Sequence, residues 1–334
     1  MSGASVSAID WHGARYRPGQ TQGHYESWFL RANHPQRKQA FWIRYTLFSP
    51  KDRPQDAIGE LWCVASDGER GRLYAGKREV PIADCAFASR GLDVRIGSAQ
   101  LKSGELTGDV AAPHAMRWNL RYAGGGAPAV FLPERYYDAP FPKAKAVTPR
   151  PFVRFSGTLV VDGETWAIDD WIGSENHNWG SKHTDTYAWG QVVGFDNAPD
   201  AFLELITARI KLGPVWTPRL TILLLRLDGH DHRLNTIWQG LRAQGRWDYF
   251  HWAFDSAAPG IRIHGHISAT PQDFVGLTYY NPPGGSHTCL NSKIAACAVT
   301  VERDSLPTVT LTTAHRAAFE ILTDDLRHGV SIAV

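Results

Sequence analysis

Apolar side chains at every second position, closed off by glycine or proline turns, restrict the folds open to this chain more than any other feature. Met116, Trp118, Leu120 and Tyr122 alternate with Arg117, Asn119 and Arg121 and run into Gly124-Gly125-Gly126, the period of a half-buried strand followed by a turn. Residues 153–161, then Asp162-Gly163, then 164–171 read as a hairpin, because Asp-Gly tolerates the positive φ angles of a type I′ turn. Ile261, Ile263 and Ile267 mark another strand after Ala258-Pro259-Gly260. Further strands are expected at 41–48, 61–65, 187–195, 202–211, 219–227, 250–254, 293–301 and 309–313. Helix signals are few and confined to 37–43 and 314–322.

Between Leu132 and Pro151 the pattern breaks, since Pro133, Pro140, Pro142, Pro149 and Pro151 each lack the N–H that a ladder needs. The expectation is an all-β protein of two tandem antiparallel β-barrel or β-sandwich domains, 1–140 and 152–334, with a proline-rich linker over 141–151. Closure of each sheet is the arrangement that best removes exposed edges.

Charge narrows the partners. With 35 Lys+Arg against 33 Asp+Glu and no run of like sign, the footprint of a nucleic-acid or anionic-lipid binder is missing. No stretch approaches the roughly 20 apolar residues that span a bilayer, and no cationic-then-apolar leader opens the sequence. A cytoplasmic protein without a transmembrane segment is expected. Cys63, Cys85, Cys289 and Cys297 show no CxxC pairing and read as small buried hydrophobes. Thirteen Trp against two Met suit the lining of a pocket for an extended apolar ligand.

The densest chemistry lies in 171–191, where acids, histidines, amides, a lysine and tryptophans mingle. Buried polar groups without partners cost about 1–3 kcal/mol each. A polar cluster set among Trp171, Trp179, Tyr187 and Trp189 therefore points to a lined cavity rather than a packed interior. The alternative is that His177 and Asn178 tie the hairpin together while the tryptophans pack an interface.

Glu175-Asn176-His177-Asn178-Trp179-Gly180, followed by Tyr187-Ala188-Trp189-Gly190, resembles the DHNWG and WYWG signatures of the lipocalin-like family that includes hydroxyneurosporene synthase (carotenoid 1,2-hydratase). Tocopherol cyclase and the fungal lipocalin-like Diels–Alderases are more distant members. Pro142-Lys143 and Pro149 resemble that family's interdomain segment, and Glu26-Ser27-Trp28-Phe29 with Phe41-Trp42-Ile43 resembles its early strands. The resemblance implies two tandem lipocalin-like domains holding an apolar terpenoid, polyene or polyketide-like molecule. It does not bring a reaction with it, because members differ in chemistry. One position departs: Asn176 stands where the motif carries Asp, and an amide has no proton to give at working pH. Glu175, Asp169 and Asp170 are the nearby carboxylates, with Glu175 and Asn176 on opposite strand faces.

Protonating an alkene needs a carboxylic acid kept neutral by desolvation, with aromatic faces nearby to stabilise the cation. Glu175 or Asp170 beside Trp171, Trp179 and Trp189 meets that need. A cyclising role needs a shaped pocket in which Lys182, His177 or Gln191 hydrogen-bonds a carbonyl. The candidate catalytic residues are thus Glu175, His177, Asp170 and Lys182. Candidate substrate contacts are Trp171, Asn178, Trp179, His183, Tyr187, Trp189 and Gln191, with Glu26 and Trp28 from the early strand. The reading is an enzyme of hydratase, cyclase or isomerase type that needs no cofactor, the alternative being a non-catalytic carrier or sensor of a lipid-like ligand. His230-x-His232 and His264-x-His266 lack further ligands in sequence, so no metal site is expected. GxGxxG, GxxxxGK[ST], GxSxG and HExxH are all missing, which leaves nucleotide, serine-hydrolase and zincin chemistry without a motif. The segment 279–285 ends in Pro-Pro-Gly-Gly, which cannot continue a strand and reads as a loop or a lid.

Overall fold

The computed structural model describes residues 9–334. Eleven strands make the first sheet: β1 (His24–Asn33), β2 (Gln39–Ser49), β3 (Ile58–Asp67), β4 (Arg72–Pro81), β5 (Cys85–Phe87), β6 (Asp93–Ile96), β7 (Ala99–Lys102), β8 (Glu105–Val110), β9 (Met116–Gly125), β10 (Ala144–Val161) and β11 (Glu164–Gly180). Their order is β4-β3-β2-β1-β11-β10-β9-β8-β7-β6-β5, every neighbour antiparallel. The sheet curls into a nearly closed barrel, packing Leu61, Cys63 and Ala65 of β3 against Val94, Leu101 and Leu106 of the short strands. Closure follows from burial: each strand hides one apolar face, and rolling the sheet buries all of them together.

The rest of the chain contributes β12 (Thr186–Val193), β13 (Phe202–Arg209), the small hairpin β14 (Lys211–Leu212) and β15 (Val215–Trp216), β16 (Leu220–Leu227), β17 (His230–Leu234), α1 (Ile237–Arg242), β18 (Gln244–Asp248), β19 (His251–Ala258), β20 (Ile261–Ser268), β21 (Val275–Tyr280), β22 (Ser286–Arg303) and β23 (Val309–Thr323). The second sheet runs β17-β16-β13-β12-β23-β22-β20-β19-β18, with β21 on the other half of β22. Trp252, Phe319, Leu203, Leu205 and Ile267 fill its own interior.

The hairpin at Asp162-Gly163 forms with φ of 47° and 87°, as its dipeptide demands. The proline-rich stretch expected as a linker at 141–151 enters β10 at Ala144, and the passage from one sheet to the other falls at 181–185 instead. Pro149 and Pro151 sit where β10 shifts register between Val147, Arg150 and Val153, positions at which a missing N–H breaks no regular ladder. Of the stretches with helix signals, 37–43 is a bend followed by the opening of β2 at Gln39, and 314–322 lies in β23. Their continuous apolar runs are buried on both faces, which erases the alternation that marks a strand. The six-residue α1 forms where no helix is expected, on a capping box of Thr236 and Gln239.

What positions the site is a seam between the sheets. In β1, Trp28, Leu30 and Ala32 enter the first barrel, whereas Phe29 joins Trp42, Trp62, Trp189, Tyr279 and Leu322 in a separate apolar cluster between the sheets. In β13, Leu203 and Leu205 enter the second core while Phe202 faces the seam with Phe131, Ile172 and Ile222.

Candidate functional site

Strand alternation divides the sequence cluster in two. Along β11, Trp171, Glu175, His177 and Trp179 turn toward the first barrel and its N-terminal plug, while Ser174, Asn176 and Asn178 turn toward the seam.

Inside the barrel the polar groups bind the chain's own N-terminal segment. Glu26 is fully buried, and its carboxylate accepts from the backbone N–H of Arg15 (2.8 Å) and Tyr16 (3.0 Å) and from the rings of His177 (2.8 Å) and His24 (3.0 Å). Burial alone raises its pKa, but the hydrogen bonds from His177 and His24 outweigh that and hold it down at about 2. His177 Nδ1 lies 2.8 Å from the Trp11 carbonyl as well, so both ring nitrogens have a hydrogen-bond partner. Its ring lies between Trp28 (4.8 Å, 13°) and Trp179 (4.7 Å, 38°). Glu175 accepts from the Tyr122 hydroxyl (2.7 Å), with His12 Nδ1 2.8 Å and Arg150 Nε 3.7 Å away. Trp171 packs on Phe41 and Trp166.

The seam holds a cavity of about 440 Å³. Phe29, Trp42, Ile206, Leu220 and Ile222 give it apolar walls, and Phe141, Ile237 and Leu241, which are 53, 44 and 41 % exposed, stand at its opening. Four of the sequence candidates, Asn178, His183, Tyr187 and Trp189, line its wall, and His177 borders it although its ring is held on the barrel side. Burial, followed by the positive charge of Arg44, keeps His183 neutral, well below the usual histidine range, and its ring stacks on Tyr25 at 3.8 Å. Tyr279, at the root of the segment read as a loop or a lid, also lines the cavity.

The other candidates stand elsewhere. Glu175, Glu26, Trp28, Trp171 and Trp179 belong to the barrel side, as above. Asp170, expected as a possible buried acid, is 65 % exposed at its side chain and paired with Arg154 at 2.8 Å, because a bulged residue with φ of 54° turns it outward. Lys182 pairs with Asp185 at 2.6 Å beyond the end of β11. Gln191 is buried in the seam's hydrogen-bond network rather than on the cavity wall.

Four charged wall residues carry no motif, one of them Lys145, whose Nζ donates to the Pro142 carbonyl at 2.8 Å. Glu204 sits mid-strand in β13, 2 % exposed. Desolvation pushes its carboxyl up to about 7, only partly opposed by Thr148 and Trp189, whose Oγ1 and indole N–H approach it at 2.9 and 3.2 Å. The same Thr148 hydroxyl lies 3.0 Å from Asn176 Oδ1, which also accepts from Gln191 Nε2 at 2.8 Å. With Glu204 neutral, every group finds a partner: carboxyl donates to hydroxyl, and hydroxyl donates to amide. Glu320, buried on β23, accepts from Lys293 Nζ (2.7 Å) and Asn291 Nδ2 (3.0 Å). Arg44 of β2 is the fourth. A lone charge inside an apolar run, as in Phe202-Leu203-Glu204-Leu205-Ile206 or Trp42-Ile43-Arg44-Tyr45, was the available signal for two of them.

Searched against models of known families, the chain matches none. It is 24% identical to an uncharacterised protein of Mycobacterium tuberculosis over 293 residues, 87% of this chain and 83% of that one. Among solved structures it is similar to an AttH-like protein of Nitrosomonas europaea (TM-score 0.58, 14% identity, 97% and 98% of the two chains). Kievitone hydratase of Nectria haematococca is also similar (TM-score 0.54, 12% identity, 90% and 89%). So is CghA in complex with Sch210972 (TM-score 0.58, 10% identity, 94% and 97%). These likenesses establish a shared fold.

Proposed function

We propose that this protein is an enzyme of the hydratase, cyclase or isomerase kind that uses its own acid and no cofactor on an apolar terpenoid, polyene or polyketide-like molecule held in the seam. The observation that carries the reading is Glu204, a buried carboxylic acid with its pKa at about 7, on the wall of an apolar cavity beside Trp189. An acid in that state is protonated below neutrality and strong enough to donate, the compromise that general acid catalysis favours. Its proton passes to an alkene or carbonyl of the ligand. The indole faces of Trp189 and Trp42 stabilise the cation that forms; water or a second double bond then captures it, and the proton released on capture returns to the Glu204 carboxylate. Thr148 and Asn176 hold the carboxyl in place through the transfer. Asn176 stands where the resembling family carries Asp, and the Thr148 hydroxyl links it to Glu204 on β13, which supports Glu204 as this chain's acid. The kinds of protein sharing the fold, a hydratase and one that binds Sch210972, support an enzyme with a small organic substrate.

The test is incubation with a panel of polyenes, terpenoids and prenylated aromatics, followed by mass spectrometry and by quenching of tryptophan fluorescence. Saturable quenching with a product that Glu204→Gln fails to form supports the proposal. Quenching by wild type without product would replace it with the carrier reading.

A further inference from the structure

Two cations on the cavity wall have no carboxylate partner among the described residues, Lys145, whose Nζ donates to the Pro142 carbonyl at 2.8 Å, and the more deeply buried Arg44. The Arg44 side chain is buried, 4 % exposed, and no carboxylate lies within ion-pair distance of it among the described residues. The two nearest acids pair directly with lysines, Glu60 with Lys77 and Glu320 with Lys293, each at 2.7 Å; burial disfavours the Arg44 charge, and the more distant pull of these acids helps to keep the guanidinium charged without giving it a contact partner. Its guanidinium donates once, from Nη2 to Ser27 Oγ at 2.7 Å, and stacks over Tyr279 at 4.5 Å. Among the described residues, Nε is buried without a partner and Nη1 has no hydrogen-bond acceptor. Leaving a buried charge unpaired is strongly destabilising, and natural cores avoid it unless something else supplies the counter-charge. Tyr25, Tyr187, Tyr279 and neutral His183 surround the group and bring no negative charge.

We infer that Arg44 is the binding site for an anionic carboxylate on the ligand, so that the cavity takes an apolar acid rather than a hydrocarbon or a neutral alcohol. A planar fork of N–H donors matches two carboxylate oxygens. The arrangement gives the ligand a direction: the acid end anchors at β2 of the first sheet, and the apolar body extends across the seam toward Glu204 on β13 of the second. This assignment rests on the cavity being a ligand site, as proposed above, and names what that ligand must carry.

Farnesoic acid and farnesol, matched in chain and differing in the headgroup, are the probes, with tryptophan quenching as the readout at about pH 6.5, where the carboxyl is ionised. Wild type is expected to bind the acid at least about tenfold more tightly than the alcohol, the size of one charge-assisted contact. The preference should vanish in Arg44→Met and survive in part in Arg44→Lys, while Glu204→Gln keeps it. Because methionine removes an unpaired buried charge, the Tm of Arg44→Met should be unchanged or higher, which separates a binding role from a structural one. Equal binding of acid and alcohol by wild type would overturn the carboxylate assignment and leave the seam as a ligand site. A preference that survives Arg44→Met would assign it to another cation and overturn it too. No quenching by either probe would sink the ligand-site reading itself.

Discussion

At the scale of single residues, two buried glutamates of one chain are tuned in opposite directions. Glu204 faces apolar surface with only two neutral donors, so desolvation wins; Glu26 receives four hydrogen bonds, and they win. Their effects on stability therefore carry opposite signs. The folded pKa of Glu204, about 7, lies above the 4.5 of an unperturbed Glu, so its contribution is complete below pH 4.5 and lost as pH rises through 7. The difference amounts to about 3 kcal/mol. Glu204→Gln should match wild type in Tm near pH 4.5 and exceed it at pH 8, a crossing that thermal melts at the two pH values will show. Glu26, held at about 2, contributes stability above pH 4.5 that is lost as pH falls through 2. Glu26→Gln should cost roughly 3 kcal/mol at pH 7 and little at pH 2, readable by urea melts. If Glu204 is the working acid, kcat/KM should fall as pH rises through about 7, and Glu204→Gln should lower it by at least about 100-fold at pH 6. A flat profile would count against that role.

At the scale of elements, legibility tracked exposure. β9 was readable because its outer face meets solvent and its burial alternates residue by residue. β1 and β23 were not, since the seam covers the outer face of β1 entirely and of the last half of β23. The same double burial hid half of the site. The amide and histidine cluster around His177 announced itself through composition, yet the strand's two faces sent it to two different places. Glu204 and Arg44 lacked any motif, and finding them required knowing which strands face each other. Close pairing on both sides also leaves β11 little tolerance. A Cβ at Gly173 would lie 1.8 Å from the Arg31 carbonyl of β1, a contact that only separation of the two strands relieves. Gly173→Ala should therefore lower stability by about 3 kcal/mol or more, or leave the protein insoluble, as expression yield and thermal melts will report.

At the scale of the whole molecule, the sheets are locked together by buried polar contacts beside the apolar ones. Arg31 of β1 donates to the carbonyls of Gln191 (3.0 Å) and Arg316 (2.7 Å), and Asn33 donates to that of Lys293 at 2.7 Å. The cavity persists because these posts hold the seam at a fixed width. Filling it should abolish binding without harming either core: Ala208→Trp, on the half-buried wall, is expected to eliminate quenching by apolar probes while leaving Tm within a few degrees of wild type. The first barrel, meanwhile, is stoppered by its own N-terminal segment, with Trp11 packed beside Tyr137 and Trp179. A vessel so plugged has little interior left to offer, whereas the joint between the two sheets keeps an open volume. Such a joint can change its shape by substitution on outward faces alone, so new chemistry can be tried there over evolutionary time while both folding cores stay as they are.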